Sequence, residues 1–284
     1  MEERQCKKLD IDAPQYPNEW KLLKDAPQQL QYLGDISLLQ TRKFTVVGSR
    51  TTPAQALKTG KEIAGELSQA FTIVTGVADG GDTAAIEGAL FKGGKVICVL
   101  AGGFSALPQG NLPLLREVVR KGLLLSPYPF TEPVLKYTYE HRNKLLAHLG
   151  EGTLVLGAAE KSGALITAKY AKKAGKQVFA LPYSTGVHAG IGCNGLIKSG
   201  ARLTESADDV FSAMGLEYRS RRYAVTLTET EKSVVNVLKE LAEAHVNELS
   251  ARTGIPIFKL RATLSALEVK GAIVSLGGNR YSAV

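Results

Sequence analysis

One stretch of the chain, residues 136–182, constrains the fold more than any other. A helix-like segment at 139–149 is followed by two buried apolar runs, 153–158 and 177–181. A second helix-like segment lies between these runs, and Gly175 ends it. A buried strand, a helix and a second buried strand in succession predict a β-α-β unit whose two strands lie parallel.

The turn that opens the central helix of this unit reads Lys161-Ser162-Gly163. Ser162 suits the N-cap of a helix, and Gly163 allows a ligand to approach the backbone closely. The free N–H groups of the first turn and the helix dipole favour an anion there, and Lys161 adds a full positive charge. The turn taken alone fits either a phosphate site or a plain capped turn.

Apolar runs and helix-like segments alternate through the first three quarters of the chain. The earlier apolar runs are continuous and lie at 43–48, 71–75, 95–100 and 123–126. Continuous runs are typical of strands that are covered on both faces. The pattern therefore predicts an α/β fold, a Rossmann-like and mostly parallel sheet with helices on both faces. Gly48 and Gly76 end the first two strands, so ligand-facing loops are expected at one edge of the sheet.

The loop after the first predicted strand offers a second phosphate-binding layout. Ser49 and Arg50 follow Gly48 and precede the next helix. The guanidinium fork of Arg50 could clamp a phosphate in bidentate fashion, or the side chain could simply be solvated. The chain has no Walker A pattern and no GxSxG elbow, which removes the best support for a triphosphatase or a serine hydrolase.

The charge balance limits the class of partner. The chain has 35 Lys and Arg against 27 Asp and Glu, a formal net charge of +8. This excess suits a polyanion, nucleic acid before membrane, because no basic amphipathic anchor or membrane-length apolar run is evident. The 3 cysteines form no CxxC pair and the 4 histidines show no metal spacing. We therefore expect a cytoplasmic protein with no metal and no other cofactor.

The remaining stretches suggest further parts. Residues 1–40 are expected to form a short lead-in of helices that packs on a Rossmann-like domain at 41–215. A basic linker at 216–226 follows. Residues 227–284 predict three helices and then a hairpin, an arrangement that forms a winged helix. The third of these helices could enter a DNA groove, or it could contact a protein.

An ordered set of motifs resembles the DNA-processing protein A family, also called DprA or Smf. The motifs are VVGSR at 46–50, TGVADGGDTAAIEGAL at 75–90, VICVLAGG at 96–103, KGLLLSPYP at 121–129, RNK at 142–144, SGALITAKYA at 162–171 and GCNGLIKSGA at 192–201. The resemblance implies a single-stranded-DNA-binding protein, not an enzyme, that forms a homodimer. It also implies that the protein loads the RecA recombinase onto incoming DNA in natural transformation. The winged helix looks like the family's common C-terminal domain.

The loops and the resemblance together give the candidate site residues. The candidate DNA-binding residues are Gly48, Ser49, Arg50, Gly76, Lys136, Tyr139, Arg142, Asn143, Lys161, Ser162, Gly163 and Asn194. Single-stranded DNA needs cations for its phosphates and aromatic faces for its bases, and Tyr139 is the candidate for stacking. The resemblance places a dimer interface at Leu196, Ile197 and Leu203, which could equally be ordinary core residues.

Asp79 departs from the pattern of the family, which usually has an arginine in that stretch. Two rival functions also stay open. A nucleotide phosphoribohydrolase on a similar fold would need a carboxylate beside its phosphate loop, and Glu160 is the candidate, although the PGGxGTxxE pattern is missing. A duplex-DNA regulator would read DNA with the winged helix and use the Rossmann-like domain as a sensor.

Overall fold

A sheet of nine strands organises most of the chain. The structure is a computed structural model that describes residues 5–217, 227–270 and 272–283. The chain divides between residues 219 and 220 into two units, and the sheet belongs to the first of them. The predicted basic linker at 216–226 lies almost wholly outside the described residues.

The strands of this sheet follow the apolar runs of the sequence. They are β1 (Lys7–Asp10), β2 (Gln29–Gly34), β3 (Lys43–Val47), β4 (Thr72–Thr75), β5 (Val96–Val99), β6 (Leu123–Ser126), β7 (Gly152–Val155), β8 (Gln177–Ala180) and β9 (Arg202–Leu203). Their order across the sheet is β1-β2-β6-β5-β4-β3-β7-β8-β9. The strands β3 to β9 pair in parallel, which confirms the predicted sheet. The strand order reverses between β3 and β7, and such a switch point is where open α/β sheets bind ligands.

Helices cover both faces of the sheet, as predicted. They are α1 (Asn18–Lys21), α2 (Ala54–Leu67), α3 (Gly81–Phe91), α4 (Leu112–Lys121), α5 (Lys136–Leu149), α6 (Gly163–Lys173), α7 (Ile191–Lys198) and α8 (Ala207–Ala213). One apolar core lies under α2, α3, α4 and α8. A second core lies under α1, α5, α6 and α7 on the opposite face. Because each central strand contributes to both cores, its sequence is apolar at nearly every position.

The lead-in differs in part from its prediction. Residues 1–40 were expected to form helices, but β1 and β2 extend the sheet beyond β6 with antiparallel pairing. A single-turn helix, α1, and a 3-10 helix at Ile36–Gln40 complete this part. Only Leu9 of β1 is buried, so the sequence of that strand carries no apolar pattern. Pairing with a neighbouring strand, rather than local propensity, makes these residues extended.

Trp20 anchors the lead-in on helix α5. Its side chain is fully buried, and its Nε1 donates a hydrogen bond to the carbonyl of Leu145 at 2.9 Å. Tyr16 is also fully buried and donates from its hydroxyl to the carbonyl of Pro27 at 2.6 Å. The lead-in therefore supports α5 from the side of the second core.

The second unit has the helices and the hairpin predicted for a winged helix. Its elements are α9 (Glu229–Leu241), β10 (Glu243–His245), α10 (Val246–Thr253), α11 (Ile257–Val269), β11 (Ile273–Gly277) and β12 (Arg280–Ala283). The strand β10 was not predicted, and it pairs with β12 to make a three-stranded sheet. The unit has an apolar core of its own.

Replacing Trp20 with alanine should lower the free energy of unfolding by about 3–5 kcal/mol, because the change removes a fully buried indole. Urea unfolding followed by circular dichroism measures this difference. Leu22→Ala is the matched control, since its side chain is 87% exposed, and we expect a change within about 0.5 kcal/mol. A loss for Trp20→Ala no larger than the control's would contradict the anchoring role.

Candidate functional site

A cavity of about 550 Å³ opens at the carboxyl edge of the sheet, next to the switch point. The loops after β3, β4 and β7 and one face of α5 supply its walls. Most of the predicted site residues line it: Gly48, Ser49, Arg50, Lys136, Tyr139, Arg142, Asn143, Ser162 and Gly163. The structure thus brings together three separate stretches of the sequence that had each suggested a ligand.

Three predicted residues lie outside this lining. Lys161 is exposed and directly precedes Ser162. Gly76 lies at the end of β4, against the buried side of Arg142. Asn194 has a different surrounding: its side-chain amide accepts from the backbone N–H of Tyr183 at 3.0 Å and donates to the Tyr183 carbonyl at 2.8 Å. The structure therefore gives Asn194 a role in holding the loop after β8.

Arg50 and Tyr139 form a bridge at the mouth of the cavity. The Nη2 of Arg50 donates to the hydroxyl of Tyr139 at 2.8 Å, and the guanidinium carbon lies 5.9 Å from the centre of the ring. Arg50 is exposed, whereas Tyr139 is half-buried. Both residues also line an adjoining cavity of about 220 Å³, between the loops after β4 and β5. The bridge holds a cation and an aromatic ring at the place where two cavities meet.

Arg142, in contrast, is a buried cation that is only 4% exposed. Its Nη1 donates to the carbonyl of Val99 at 3.1 Å, and its Nε donates to Oδ1 of Asn143 at 3.1 Å. Its guanidinium carbon lies 5.4 Å from the centre of the Tyr139 ring. These contacts connect α5 to the end of β5 and place the Arg142 guanidinium against the ring of Tyr139. Arg142 therefore lines the cavity as a buried side chain whose Nε and Nη1 already have protein partners.

Gly76 leaves the space that the Arg142 guanidinium occupies. A Cβ atom at this position would lie 2.1 Å from Nη1 of Arg142 and 2.3 Å from Oδ2 of Asp82. Both distances are far below van der Waals contact, so a larger residue would displace these side chains. Gly76 thus contributes to the site indirectly, because it leaves room for the side chains of Arg142 and Asp82.

Asp82, which was not predicted as a site residue, lines the cavity beside Arg142. Its side chain is buried, and Oδ2 accepts from the backbone N–H of Ala78 at 3.3 Å. Burial raises the pKa of Asp82, and the nearby positive charge of Arg142 opposes this rise. The position of Asp82 near the start of α3 gives no sign in the sequence of a place at the cavity. Its proximity to Arg142 arises from the tertiary fold.

The start of α6 faces the cavity in the manner expected of an anion site. The hydroxyl of Ser162 accepts from the backbone N–H of Ala164 at 3.3 Å, which confirms the predicted N-cap. The side-chain amide of Asn143 donates to the carbonyl of Gly163 at 3.2 Å and joins α5 to α6. The positive end of the α6 dipole is thereby fixed toward the cavity.

The lining separates a charged mouth from an apolar floor. Arg50 and Lys136 are exposed at the mouth. Most of the accessible lining is apolar and includes Val47, Leu146 and Ile166. Cations beside an apolar floor suit a ligand that has phosphates at one end and flat rings at the other.

The family comparison agrees with this geometry. Residues 7–215 match the model of the family described as DNA recombination-mediator protein A, and residues 219–279 match the model of the DprA winged helix domain. The chain belongs to this family.

Individual relatives give the same result. The chain is 38% identical over 198 residues to the DNA processing protein DprA of Streptococcus pneumoniae. The aligned region covers 69% of this chain and 70% of the relative. It is 34% identical over 213 residues to DprA of Bacillus subtilis, spanning 72% and 70%.

Solved structures of two relatives share the fold. The crystal structure of DprA from Streptococcus pneumoniae superposes with a TM-score of 0.71 and 35% identity, and covers 76% of each chain. DNA processing protein A of Helicobacter pylori superposes with a TM-score of 0.68 and 28% identity, over 76% of this chain and 98% of that one. The structural work on the Helicobacter protein describes its single-stranded DNA binding mode.

Three further observations describe this member of the family. Asp79, where the chain departs from the family pattern, is exposed and lines the adjoining cavity beside Arg50. Among the residues that the structure describes, no helix has the length and apolar character needed to span a bilayer. The same described ranges contain no cluster of three or more His, Cys, Asp or Glu side chains that could hold a metal ion.

Replacing Gly76 with alanine should lower the free energy of unfolding by about 1–3 kcal/mol, because the new methyl group occupies the position of the Arg142 guanidinium. Gly110→Ala is the control, since no atom lies within 4 Å of a Cβ built there. Urea unfolding of both variants measures the difference. Equal stability of the two variants would show that Arg142 moves aside freely and is not fixed by its contacts.

Proposed function

We propose that the chain binds single-stranded DNA, largely without regard to base sequence, in the cavity at the carboxyl edge of the sheet. The observation that carries the proposal is the pairing of exposed cations with an aromatic ring above an apolar floor. Single-stranded DNA requires this combination, because cations neutralise its phosphates and rings stack on its bases. The binding mode described for the Helicobacter relative supports the proposal.

The proposed contacts follow from the placement of the side chains. Arg50 and Lys136 contact phosphates at the mouth, and Lys161 adds charge near the start of α6. Arg50 has further N–H donors besides the one that bonds Tyr139, so it can hold a phosphate while it still positions the ring. Tyr139 then stacks on a base. Arg142 and Asn143 keep this arrangement in place from below.

We further propose that the bound DNA is passed to the RecA recombinase during natural transformation in the cytoplasm. The description of the family as a recombination mediator supports this role. In this account the protein acts by binding DNA and handing it to RecA, and it catalyses no reaction.

Assembly of RecA filaments on oligo-dT should be faster with the parent protein than with Arg50→Ala. Equal rates with the two proteins would contradict the proposed hand-over.

A phosphoribohydrolase is the enzymatic alternative. Among the described residues, the cavity lacks a carboxylate that is well placed to assist glycosidic cleavage. Glu160, the carboxylate considered for that role, is exposed and does not line the cavity. Glu140 does line it, but it accepts a hydrogen bond from the hydroxyl of Tyr170 at 3.3 Å and lies on the exposed side of α5. Release of free base from nucleoside monophosphates by the purified protein would favour the enzyme.

A duplex-reading regulator is the second alternative. Residues 227–284 contain 7 Lys and Arg against 6 Asp and Glu, so the winged helix lacks the strong positive charge of a typical duplex reader. Phe258, near the start of α11, is exposed and suits a protein contact better than a DNA groove. Tighter binding to duplex than to single-stranded DNA of the same sequence would favour the regulator.

We also propose a homodimer. Leu203 is 45% exposed on β9, at the edge of the sheet. Leu196 and Ile197 are half-buried and pack on the second core, so they support the interface from behind. An exposed leucine on an edge strand is a ready site for pairing with a second copy.

The salt dependence of binding should separate the cations from the ring. Replacing Arg50 with alanine removes about one phosphate contact, so the slope of log affinity against log salt concentration should shrink by about 0.7. Fluorescence anisotropy of a labelled oligo-dT in a salt titration measures this slope. An Arg50→Ala protein that is folded and binds as tightly as the parent at every salt concentration would exclude the phosphate contact.

Replacing Tyr139 with alanine should lower the affinity for oligo-dT by about five- to hundredfold, because one base loses its stacking surface. The salt slope should stay nearly unchanged, since no charge is removed. Tyr139→Phe is the matched control: it keeps the ring, loses only the hydrogen bond to Arg50, and should retain most of the affinity. An equal loss in both variants would show that the hydroxyl, not the ring, carries the effect.

Replacing Leu203 with glutamate should convert a dimer into a monomer of 30.4 kDa, because it places a charge in an apolar contact. Light scattering at micromolar concentration measures the mass. Leu22→Glu, at another exposed leucine far along the sequence, should leave the dimer intact. A parent protein that is monomeric under these conditions would contradict the proposed dimer.

A further inference from the structure

Asp79 lines the adjoining cavity of about 220 Å³, which lies between the loops after β4 and β5. Its side chain is exposed, and it has no hydrogen bond or ion pair with any residue that the structure describes. The other charged residues of the lining are Arg50 and Arg142, and Arg142 already bonds to protein groups through Nε and Nη1. The carboxylate of Asp79 is therefore free to accept hydrogen bonds from a ligand in this cavity.

The rest of the lining is mostly apolar and includes Leu100, Leu107 and Val134. The N–H of Gly103 donates to the carbonyl of Glu132 at 2.8 Å, which joins the loop after β5 to the loop before α5 and holds these walls in place. Pockets for drug-sized ligands have volumes of about 300–1,000 Å³, so this smaller cavity suits one flat ring system.

The loop that carries Asp79 is also fixed by hydrogen bonds. The side-chain amide of Asn111 donates to the carbonyl of Val77 at 3.1 Å, and the hydroxyl of Thr83 donates to the carbonyl of Ala78 at 3.0 Å. Both acceptors lie within two residues of Asp79 in the sequence. The fold therefore sets the position of the carboxylate before a ligand arrives.

A nucleobase is the group that matches this acceptor. A carboxylate accepts hydrogen bonds, donates none and repels a phosphate. Cytosine presents an amino group, N4, from which Asp and Glu accept in protein–DNA contacts. Uracil and thymine present a carbonyl oxygen, O4, at the same place. Their one donor, N3–H, lies between two carbonyl oxygens that repel a carboxylate.

Arg50 and Tyr139 line both cavities. A strand whose phosphate is held by Arg50 can therefore place one base against the larger cavity and a neighbouring base in the smaller one. We propose that the adjoining cavity is a nucleobase subsite and that Asp79 makes it favour cytosine over uracil and thymine. This inference rests on the proposed binding of single-stranded DNA and adds a modest base preference to it.

The experiment measures the affinity of the parent protein for oligo-dC and oligo-dU of equal length by fluorescence anisotropy at neutral pH. These oligomers have the same backbone and bases of equal size, and they differ in the groups at positions 3 and 4 of the ring. The parent should bind oligo-dC about three- to tenfold more tightly, because one hydrogen bond to a charged acceptor is gained.

Two variants separate the base contact from the charge. Asp79→Asn should bring the ratio of the two affinities to about one, since an amide can accept from cytosine and donate to uracil. Glu160→Gln is the matched control: Glu160 is also exposed in a loop at the carboxyl edge of the sheet, but it lines neither cavity. Each variant removes one negative charge, so a general gain in affinity is common to both. Glu160→Gln should keep the ratio of the parent.

The inference would be overturned by a parent protein that binds oligo-dU as tightly as oligo-dC or more tightly. It would also be overturned by a preference for oligo-dC that persists in Asp79→Asn, or by one that Glu160→Gln loses to the same extent. In each of these cases DNA is still bound, and the proposed function stands. A parent protein that binds neither oligomer would overturn the proposed function itself, and the inference with it.

Discussion

The buried guanidinium of Arg142 is the interaction on which the rest of the site depends. It donates to the carbonyl of Val99 at the end of β5 and to the side chain of Asn143, and it lies under the ring of Tyr139. A buried cation is tolerated only where its N–H groups have partners, so these contacts hold α5 in one position against the sheet. Lys136 and Tyr139 share that helix with Arg142 at intervals of three residues. Fixing Arg142 therefore also fixes the cation and the ring that face the cavity.

Buried and exposed cations have different roles in this arrangement. Arg142 is enclosed and is committed to protein partners, whereas Arg50 and Lys136 remain exposed at the mouth. An exposed cation can exchange water and counterions for a phosphate at little cost, and the released counterions drive the binding. The lead-in contributes from the other side, because Trp20 bonds to the backbone of α5. The cavity-facing side of α5 thus depends also on a contact made outside the cavity.

The sequence predicted the parallel sheet because burial on both faces leaves a continuous apolar run in each central strand. The position of Arg50, Ser162 and Gly163 at the cavity was predictable, because loops that follow parallel strands and precede helices meet at the carboxyl edge of the sheet. The strand β1 was not predictable from the sequence. Leu9 is its one buried residue, and the strand with which it pairs lies about twenty residues further along the chain. The roles of Asp82 and Asn194 also depend on partners that only the tertiary fold supplies.

The most direct test of the central claim is a crystal structure of the protein bound to a short oligo-dT. The account predicts a phosphate oxygen within hydrogen-bond distance of the Arg50 guanidinium and a thymine ring stacked on Tyr139, both at the carboxyl edge of the sheet. DNA bound to the winged helix or elsewhere on the surface, with the cavity free of nucleotides, would contradict it.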